Sequence, residues 1–340
     1  MQNNSLISVV IPCRNEEKYI GDCLHSLLNC ASDHIQLEIF VCDGMSDDST
    51  RDIVETFSRQ YANIYLMDNP ERVTPVALNL GIKQARGSLI AILGAHATVS
   101  QPYFINALAS FERNPEADCI GGLIENEFED SRSEAVGMAM SSPFGVGDAH
   151  FRTGMRDGFV DTVAFGIYKR EVFEKIGYFN ESLARNQDDE FNFRMLKNNL
   201  KIFLDLSIRS KYYVRSSWKK LFQQYYQYGF WKVFVNKKHN TITTLRQLIP
   251  FLFVSGILCS LILSLYYWIF FALFFAGLIL WFVFALVFAL KQTSRFIYLL
   301  QILLSFLILH VSYGSGYLLG IWYFLILRKN PSVKHTKLTR

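Results

Sequence analysis

From Leu248 to Leu290 the chain carries no charged side chain, and from Phe296 to Leu327 its only ionisable group is His310, tyrosines aside. Apolar stretches of this length exclude a purely soluble core and predict membrane spans of about 20 residues each. They also hold almost no polar side chain that could line a solute path, which argues against a transporter. The six cysteines, Cys13, Cys23, Cys30, Cys42, Cys119 and Cys259, show no CxxC spacing, and Cys259 falls inside the first apolar stretch. This pattern argues against a zinc ribbon or a disulfide framework and for reduced, mostly buried thiols. Residues Met1 to Ser5 lack the basic segment of a secretory signal, and Pro12 and Arg14 interrupt the first apolar run. The N-terminal part is therefore expected to stay in the cytosol. Nor is there a strong charge imbalance: 34 Lys and Arg against 30 Asp and Glu leave +4. No nucleic-acid partner is implied.

Hydrophobic residues make up 51% of the 340 and phenylalanine alone numbers 29. Ahead of the apolar C-terminal part there is room for one α/β domain of roughly 200–250 residues. Ile7 to Pro12 is a short apolar run ended by proline, as in a buried parallel strand. Ile20, Leu24, Leu27 and Leu28 then share one helical face. Leu37 to Cys42 is a second strand that runs into the turn Asp43-Gly44-Met45-Ser46, and a helix follows from Ser49 with Ile53, Val54 and Phe57 inward. Ile64 to Met67 is a third strand. Thr74-Pro75 supplies a capping hydroxyl and a first-turn proline for a helix that stops near Gly87. Leu89 to Leu93 is a fourth strand ending at Gly94, with another helix from about Pro102. This alternation predicts a doubly wound, mostly parallel sheet, whose ligands bind at the carboxyl ends of the strands.

Glu125 to Phe159 shows no clean period and is expected to be a long irregular excursion over the site. Val172 to Tyr178 and Glu190 to Leu196 are short helical pieces. Trp218 to Val235 combines aromatic and basic residues, the mixture that partitions to a membrane interface; packing against the domain is the plainer alternative. Leu248 to Leu290 is long enough for two spans turning near Tyr266-Tyr267-Trp268, and Lys291 with Arg295 marks a cytosolic loop. A single pass from Phe296 would place the basic tail of Arg328, Lys329, Lys334, Lys337 and Arg340 outside. A re-entrant turn at Tyr313 to Gly316 would bring it back. Three hydrophobic segments are expected, with the tail's side open.

Each strand end delivers different polar groups: Pro12-Cys-Arg-Asn15-Glu16, then Asp43 with Ser46, Asp47, Asp48 and Thr50, then Gly94-Ala95-His96. One such loop would be an ordinary turn; several at successive strand ends suggest a site. Ile7 to Glu17, Val41 to Thr50, Asn79 to Gly87 and Arg185-Asn-Gln-Asp-Asp-Glu190 resemble the successive motifs of family 2 inverting glycosyltransferases of the GT-A fold. Met140 to Gly147 and Val160-Asp-Thr162 resemble the succinoglycan-type exopolysaccharide glucosyltransferases within it. The resemblance implies a GT-A domain, Rossmann-like with a mostly parallel sheet, over residues 1–215. An aromatic and basic interfacial helix and linker over 216–246, transmembrane helices over 247–327 and a basic tail over 328–340 complete the chain.

By that resemblance Pro12, Asn15 and Glu16 line the nucleoside pocket and Asp43 accepts a hydrogen bond from the base, typically the N3–H of uracil. A carboxylate is an acceptor only, which suits recognition of an N–H. Lys83 and Arg86 would bring positive charge to the donor diphosphate, although exposed basic residues on a helix are more often simply solvated. The family's Asp-x-Asp metal motif reads Gly94-Ala95-His96 here, which leaves His96 as the candidate ligand for Mn²⁺ or Mg²⁺ and puts that metal dependence in question. Inverting transfer needs one general base, and the motif match maps it to Asp188, with Asp189 as the alternative; adjacent acids raise each other's pKa. The Gln-x-x-Arg-Trp of processive synthases is absent from Trp218 to Gly229. The implied partners are a nucleotide-sugar donor, a polyprenyl-diphosphate-linked saccharide acceptor, membrane lipid and other polysaccharide assembly proteins. The implied setting is a bacterial inner membrane, multi-pass, with the catalytic domain cytosolic. A processive glycan synthase and a non-catalytic nucleotide-sugar-binding subunit are the competing readings.

Overall fold

Ile7, Val9, Val10 and Ile11 are fully buried, as a strand covered on both faces requires. The computed structural model describes residues 5–32, 34–214 and 217–331; Lys334, Lys337 and Arg340 of the expected tail lie outside them. In chain order, β1 (Ser5–Cys13), α1 (Ile20–Leu28), β2 (Ile35–Asp43), α2 (Thr50–Gln60), β3 (Ile64–Asp68), α3 (Thr74–Gln84) and β4 (Leu89–Ile92) form the alternating part. β2, β1 and β4 run parallel side by side, with β3 parallel to β2. The chain continues through β5 (Ala97–Val99), α4 (Tyr103–Arg113), β6 (Cys119–Glu127), α5 (Ser131–Met140), α6 (Pro143–Val146), α7 (His150–Thr153), β7 (Gly158–Val160), β8 (Ala164–Lys169), α8 (Arg170–Ile176), α9 (Gln187–Lys197) and β9 (Ile202–Tyr213). The full order is β3-β2-β1-β4-β8-β6-β9-β5, with β7 on β9. β8 runs antiparallel to β4, and β9 antiparallel to β5 and β7. Thr74 is the first helical residue of α3 rather than its cap, because Val73 holds the cap position without a side-chain bond; the proline sits in the first turn as expected.

Two compact units divide the chain. The first runs up to Asn126 and resumes over His150–Tyr213, whereas Glu127–Ala149 groups with the chain from Val214 onward. The expected irregular excursion over 125–159 carries three helices, α5, α6 and α7, joined by irregular segments. Asp130 accepts from the Ser133 amide while the Ser133 hydroxyl receives the Asp130 amide, a reciprocal cap that starts α5. Within the second unit, Phe144 of α6 sits among Trp281, Phe288, Phe306 and His310, and Tyr298 donates to Glu134.

The rest of that unit is helical: α10 (Trp218–His239), α11 (Ile249–Leu263), α12 (Trp268–Leu290) and α13 (Phe296–Gly320), the last continued by a π-helical turn, Ile321–Ile326. Among the described residues, three helices are long and apolar enough to cross a membrane: Leu245–Leu263, Trp268–Leu290 and Phe296–Ile326. The break between the first two falls at Tyr266-Tyr267, where the apolar run was expected to turn. No re-entrant turn interrupts Tyr313 to Gly316, which are internal to α13. Those glycines serve contact instead. Gly229 of α10 faces the backbone of Tyr313 and Tyr317, Gly316 faces that of Tyr226 and Phe230, and Gly314 faces Pro250 of α11. Small residues let helices touch main chain to main chain where lipid gives no hydrophobic drive.

At the amino-terminal rim of the parallel strands, the Glu38 carboxylate is buried and accepts from the Ser8 hydroxyl, the Arg86 guanidinium and the amides of Arg86 and Gly87. Burial opposes ionisation, but these donors outweigh it and hold the carboxyl below the usual glutamate range. Glu38→Ala leaves the buried Ser8 hydroxyl without its acceptor and is expected to cost about 1–3 kcal/mol, read as a lower denaturation midpoint. A depressed carboxyl stabilises above its ordinary pKa and ceases to as it protonates. The stability gap between the parent protein and Glu38→Gln should therefore narrow as the pH falls below about 4.

Candidate active site

Beyond the end of β1 the chain leaves the sheet, and three successive amides need acceptors. The loop after β2 supplies them. The amide of Asn15 donates to Ser46 Oγ at 2.9 Å, that of Glu16 to Thr50 Oγ1 at 2.7 Å, and that of Glu17 to Asp48 Oδ2 at 3.3 Å. The Asn15 side chain completes the junction, with Nδ2 to Asp47 Oδ1 at 2.6 Å and Oδ1 accepting the Asp47 amide. Asn15 takes φ of +54°, a left-handed conformation that asparagine tolerates better than most residues. Burial opposes ionisation of Asp48, yet the Thr50 hydroxyl and amide and the Glu17 amide hold its carboxyl below the usual range.

Asp43 lies at the carboxyl end of β2, register partner of Cys13, and is fully buried. Its carboxylate accepts from the Ser46 amide and hydroxyl, and Arg51 Nη1 lies 3.6 Å away while pairing with Asp68 at 2.7 Å. Beyond β4, His96 Nδ1 faces Glu16 Oε1 at 3.4 Å and the ring meets Tyr212 edge-on at 4.9 Å. Tyr19 stacks on Tyr213 at 4.9 Å. Asn15, Glu16, Asp43 and His96 are thus brought together, with Pro12 one residue back on β1.

Asp188 and Asp189 open α9, where the helix dipole favours acidic side chains. Asp188 is exposed, whereas the neighbouring Glu190 is buried and paired with Arg194, itself anchored on the carbonyls of Ile176 and Tyr178. Asn192, one turn on, donates to Thr162 at 2.9 Å. Thr162 leads into β8, whose Phe165 ring covers Gly94. Burial drives the Tyr168 hydroxyl well above the usual phenol range, and the Cys119 thiol and the Asp188 carboxylate add to it.

Lys83 and Arg86 are not part of this rim. A crossover helix that leaves the carboxyl end of one parallel strand ends where the next begins, so the last turn of α3 lies at the opposite side of the sheet. There Arg86 is held by Glu38 at 2.8 Å and Lys83 lies over the Tyr178 ring at 5.5 Å. A cation does reach the rim from a segment that sequence reading passed over: Arg152 of α7 lies 5.7 Å from the Tyr212 ring centroid. The signal for β9, which carries Tyr212, was there as the alternation of Ile202, Leu204, Ile208 and Ser210, all buried. Among the described residues no three His, Cys, Asp or Glu are grouped to hold a metal ion. A side chain at position 94 would crowd Phe165, its Cβ lying 3.2 Å from Cε1. The side chains present therefore do not fit a protein-held metal at Gly94-Ala95-His96.

A mixed sheet of this order, with polar loops at the carboxyl ends of its parallel strands, defines a GT-A transferase domain, followed here by three apolar helices. A mannosyltransferase from Pyrobaculum calidifontis, solved in complex with GDP-Man and Mn²⁺, shares the fold with a TM-score of 0.58 and 15% identity, over 90% of this chain and 86% of that one. The model of glycosyl transferase family 2 matches residues 8–177. A dolichyl N-acetyl-alpha-D-glucosaminyl phosphate 3-beta-D-2,3-diacetamido-2,3-dideoxy-beta-D-glucuronosyltransferase of Methanococcus voltae is 31% identical over 274 residues, covering 78% of this chain and 84% of the relative. The succinoglycan biosynthesis protein ExoA of Rhizobium meliloti is 26% identical over 262 residues, covering 76% and 78%. The chain belongs to glycosyl transferase family 2, and it is a glycosyltransferase.

Thr50→Val keeps the side-chain volume but removes the acceptor for the buried Glu16 amide. It is expected to destabilise the protein by about 1–3 kcal/mol, seen as a lower thermal midpoint.

Proposed function

We propose that the protein transfers a sugar, with inversion, from a UDP-linked donor to a polyprenyl-diphosphate-linked saccharide, one sugar per encounter, in the synthesis of an exopolysaccharide or other cell-surface glycan. The observation that carries this reading is the hydrogen-bonded rim of Asn15, Glu16, Asp43 and His96 on three parallel strands. The relatives support it: one is named for a dolichyl-phosphate-linked acceptor and another for succinoglycan biosynthesis.

Pro12, Asn15 and Glu16 border the nucleoside, and Asp43 accepts the uracil N3–H in place of the Ser46 hydroxyl that now occupies it. Asp188 acts as the general base, with Asp189 the alternative. The acceptor hydroxyl attacks the anomeric carbon as its proton passes to the carboxylate, a C–O bond forms, and the bond to the diphosphate breaks on the opposite face. Nucleoside diphosphate leaves with the bonding electrons. The apolar helices keep the enzyme at the membrane that holds its lipid-linked acceptor. Lys291 and Arg295, between the second and third apolar helices, favour the cytosolic side by the positive-inside rule, so the proposed location is the bacterial inner membrane with the catalytic domain cytosolic.

A donor screen by nucleotide release, with lipid extract as acceptor, tests the assignment. Asp188→Asn is expected to keep UDP affinity within about threefold while lowering transfer by about 10²–10⁴. Retained transfer would move the base to Asp189 or elsewhere. On a defined lipid acceptor the product should be one sugar longer; a ladder of long products would contradict single addition.

A further inference from the structure

Residues His150 to Thr153 form one short turn, yet within it His150 Nδ1, Arg152 Nη1 and Thr153 Oγ1 are all buried without a hydrogen-bond partner among the described residues. A guanidinium nitrogen left unpaired away from water is costly, and a native protein keeps one where something else completes it. The guanidinium is not loose. Its carbon lies 5.5 Å from the Phe151 ring centroid and 5.7 Å from that of Tyr212. Tyr212 in turn contacts His96, the last residue of the triplet at which the family places its metal carboxylates. At that triplet Gly94 has no side chain and Phe165 occupies the space one would need.

A donor diphosphate brings negative charge to this rim. Of the two cations expected to meet it, Arg86 is bound to Glu38 and Lys83 lies over Tyr178. Arginine suits the task because its planar fork binds phosphate oxygens in pairs and is never deprotonated. We propose that Arg152 binds the diphosphate of the nucleotide-sugar, taking over charge neutralisation that the Gly94-Ala95-His96 triplet cannot give through a bound metal. The inference rests on the nucleotide-sugar reading above. The lipid-linked acceptor carries phosphate as well; the donor is favoured because Arg152 lies over Tyr212, Tyr212 meets His96, and His96 faces Glu16 of the nucleoside loop.

The test measures binding to the purified full-length chain by titration calorimetry, in EDTA and again with Mn²⁺. UDP, GDP, CDP and dTDP are each compared with their nucleosides. In EDTA the parent protein should bind its preferred diphosphate at least tenfold more tightly than the matching nucleoside, with Mn²⁺ adding less than threefold. Arg152→Ala should erase that preference, a loss of about 10–100-fold for a charge-assisted contact, and leave nucleoside affinity unchanged. Arg152→Lys should restore part of it. Unchanged nucleoside binding also shows that Arg152→Ala is folded.

A preference that appears only with Mn²⁺, or that survives in Arg152→Ala, overturns the proposal. Unaltered diphosphate binding with a raised acceptor KM would overturn it in favour of the acceptor's phosphate. Binding of GDP rather than UDP would overturn the uracil reading alone, with Arg152 then judged on GDP against guanosine. Binding of none of the diphosphates would overturn both.

Discussion

Three amides at the end of β1 cannot be paired by any strand, and the site depends on how they are satisfied. Ser46, Asp48 and Thr50 each lend a side-chain oxygen to one of them, and Asn15 and Asp47 close the junction. The loop after β2 is therefore a scaffold for the end of β1. Its serines, threonine and aspartates are held at fixed spacing because the amides they meet have the spacing of successive residues. Buried polar main chain completed in this way is rigid, which keeps Asp43 and Glu16 at a constant separation while both remain shielded from water.

The parallel half of the sheet was legible because buried strands and amphipathic helices leave simple periods. Ile7 to Pro12 with Ile20, Leu24 and Leu27 was enough to place β1 and α1, and each polar loop followed from a strand end. The antiparallel half was less so: β9 carries an alternation, but β8 does not. β8 carries Gly166 with Tyr168 folded against it, and such a glycine-broken strand has no alternation to read. The site divides the same way. Asn15, Glu16 and His96 came from local motifs and meet. Lys83 and Arg86 were placed by charge alone, although the crossover geometry of α3 sends its last turn to the far rim. Arg152 had no local signal, since α7 is a single turn and its neighbour Tyr212 is 60 residues away in sequence.

The helical unit follows a different rule. Its apolar helices are uniform enough that composition predicts their number but not their packing. The packing is written in glycine. Gly229, Gly314, Gly316 and Gly320 all sit where a methyl group would strike a neighbouring helix's backbone or a valine side chain. Polar side chains then lock the contact: Asn236 donates to the Tyr317 hydroxyl at 3.0 Å and accepts from Thr243, and the fully buried Lys232 reaches Thr244 at 3.1 Å. A sequence that reads as a turn in Tyr313 to Gly316 is a smooth contact surface once partner helices are present.

The chain passes from one compact unit to the other three times, after Asn126, after Ala149 and after Tyr213. The transferase domain is consequently not a separable N-terminal fragment. A chain cut after Tyr213 would keep Glu127–Ala149 yet lose the apolar helices against which Phe144 packs, stranding a greasy hairpin on an otherwise water-soluble protein. A soluble version would have to bridge residue 126 to residue 150 with a short polar linker. The same wiring means that a single cut cannot part the two units: Phe144, far upstream in the chain, packs against residues of the apolar helices.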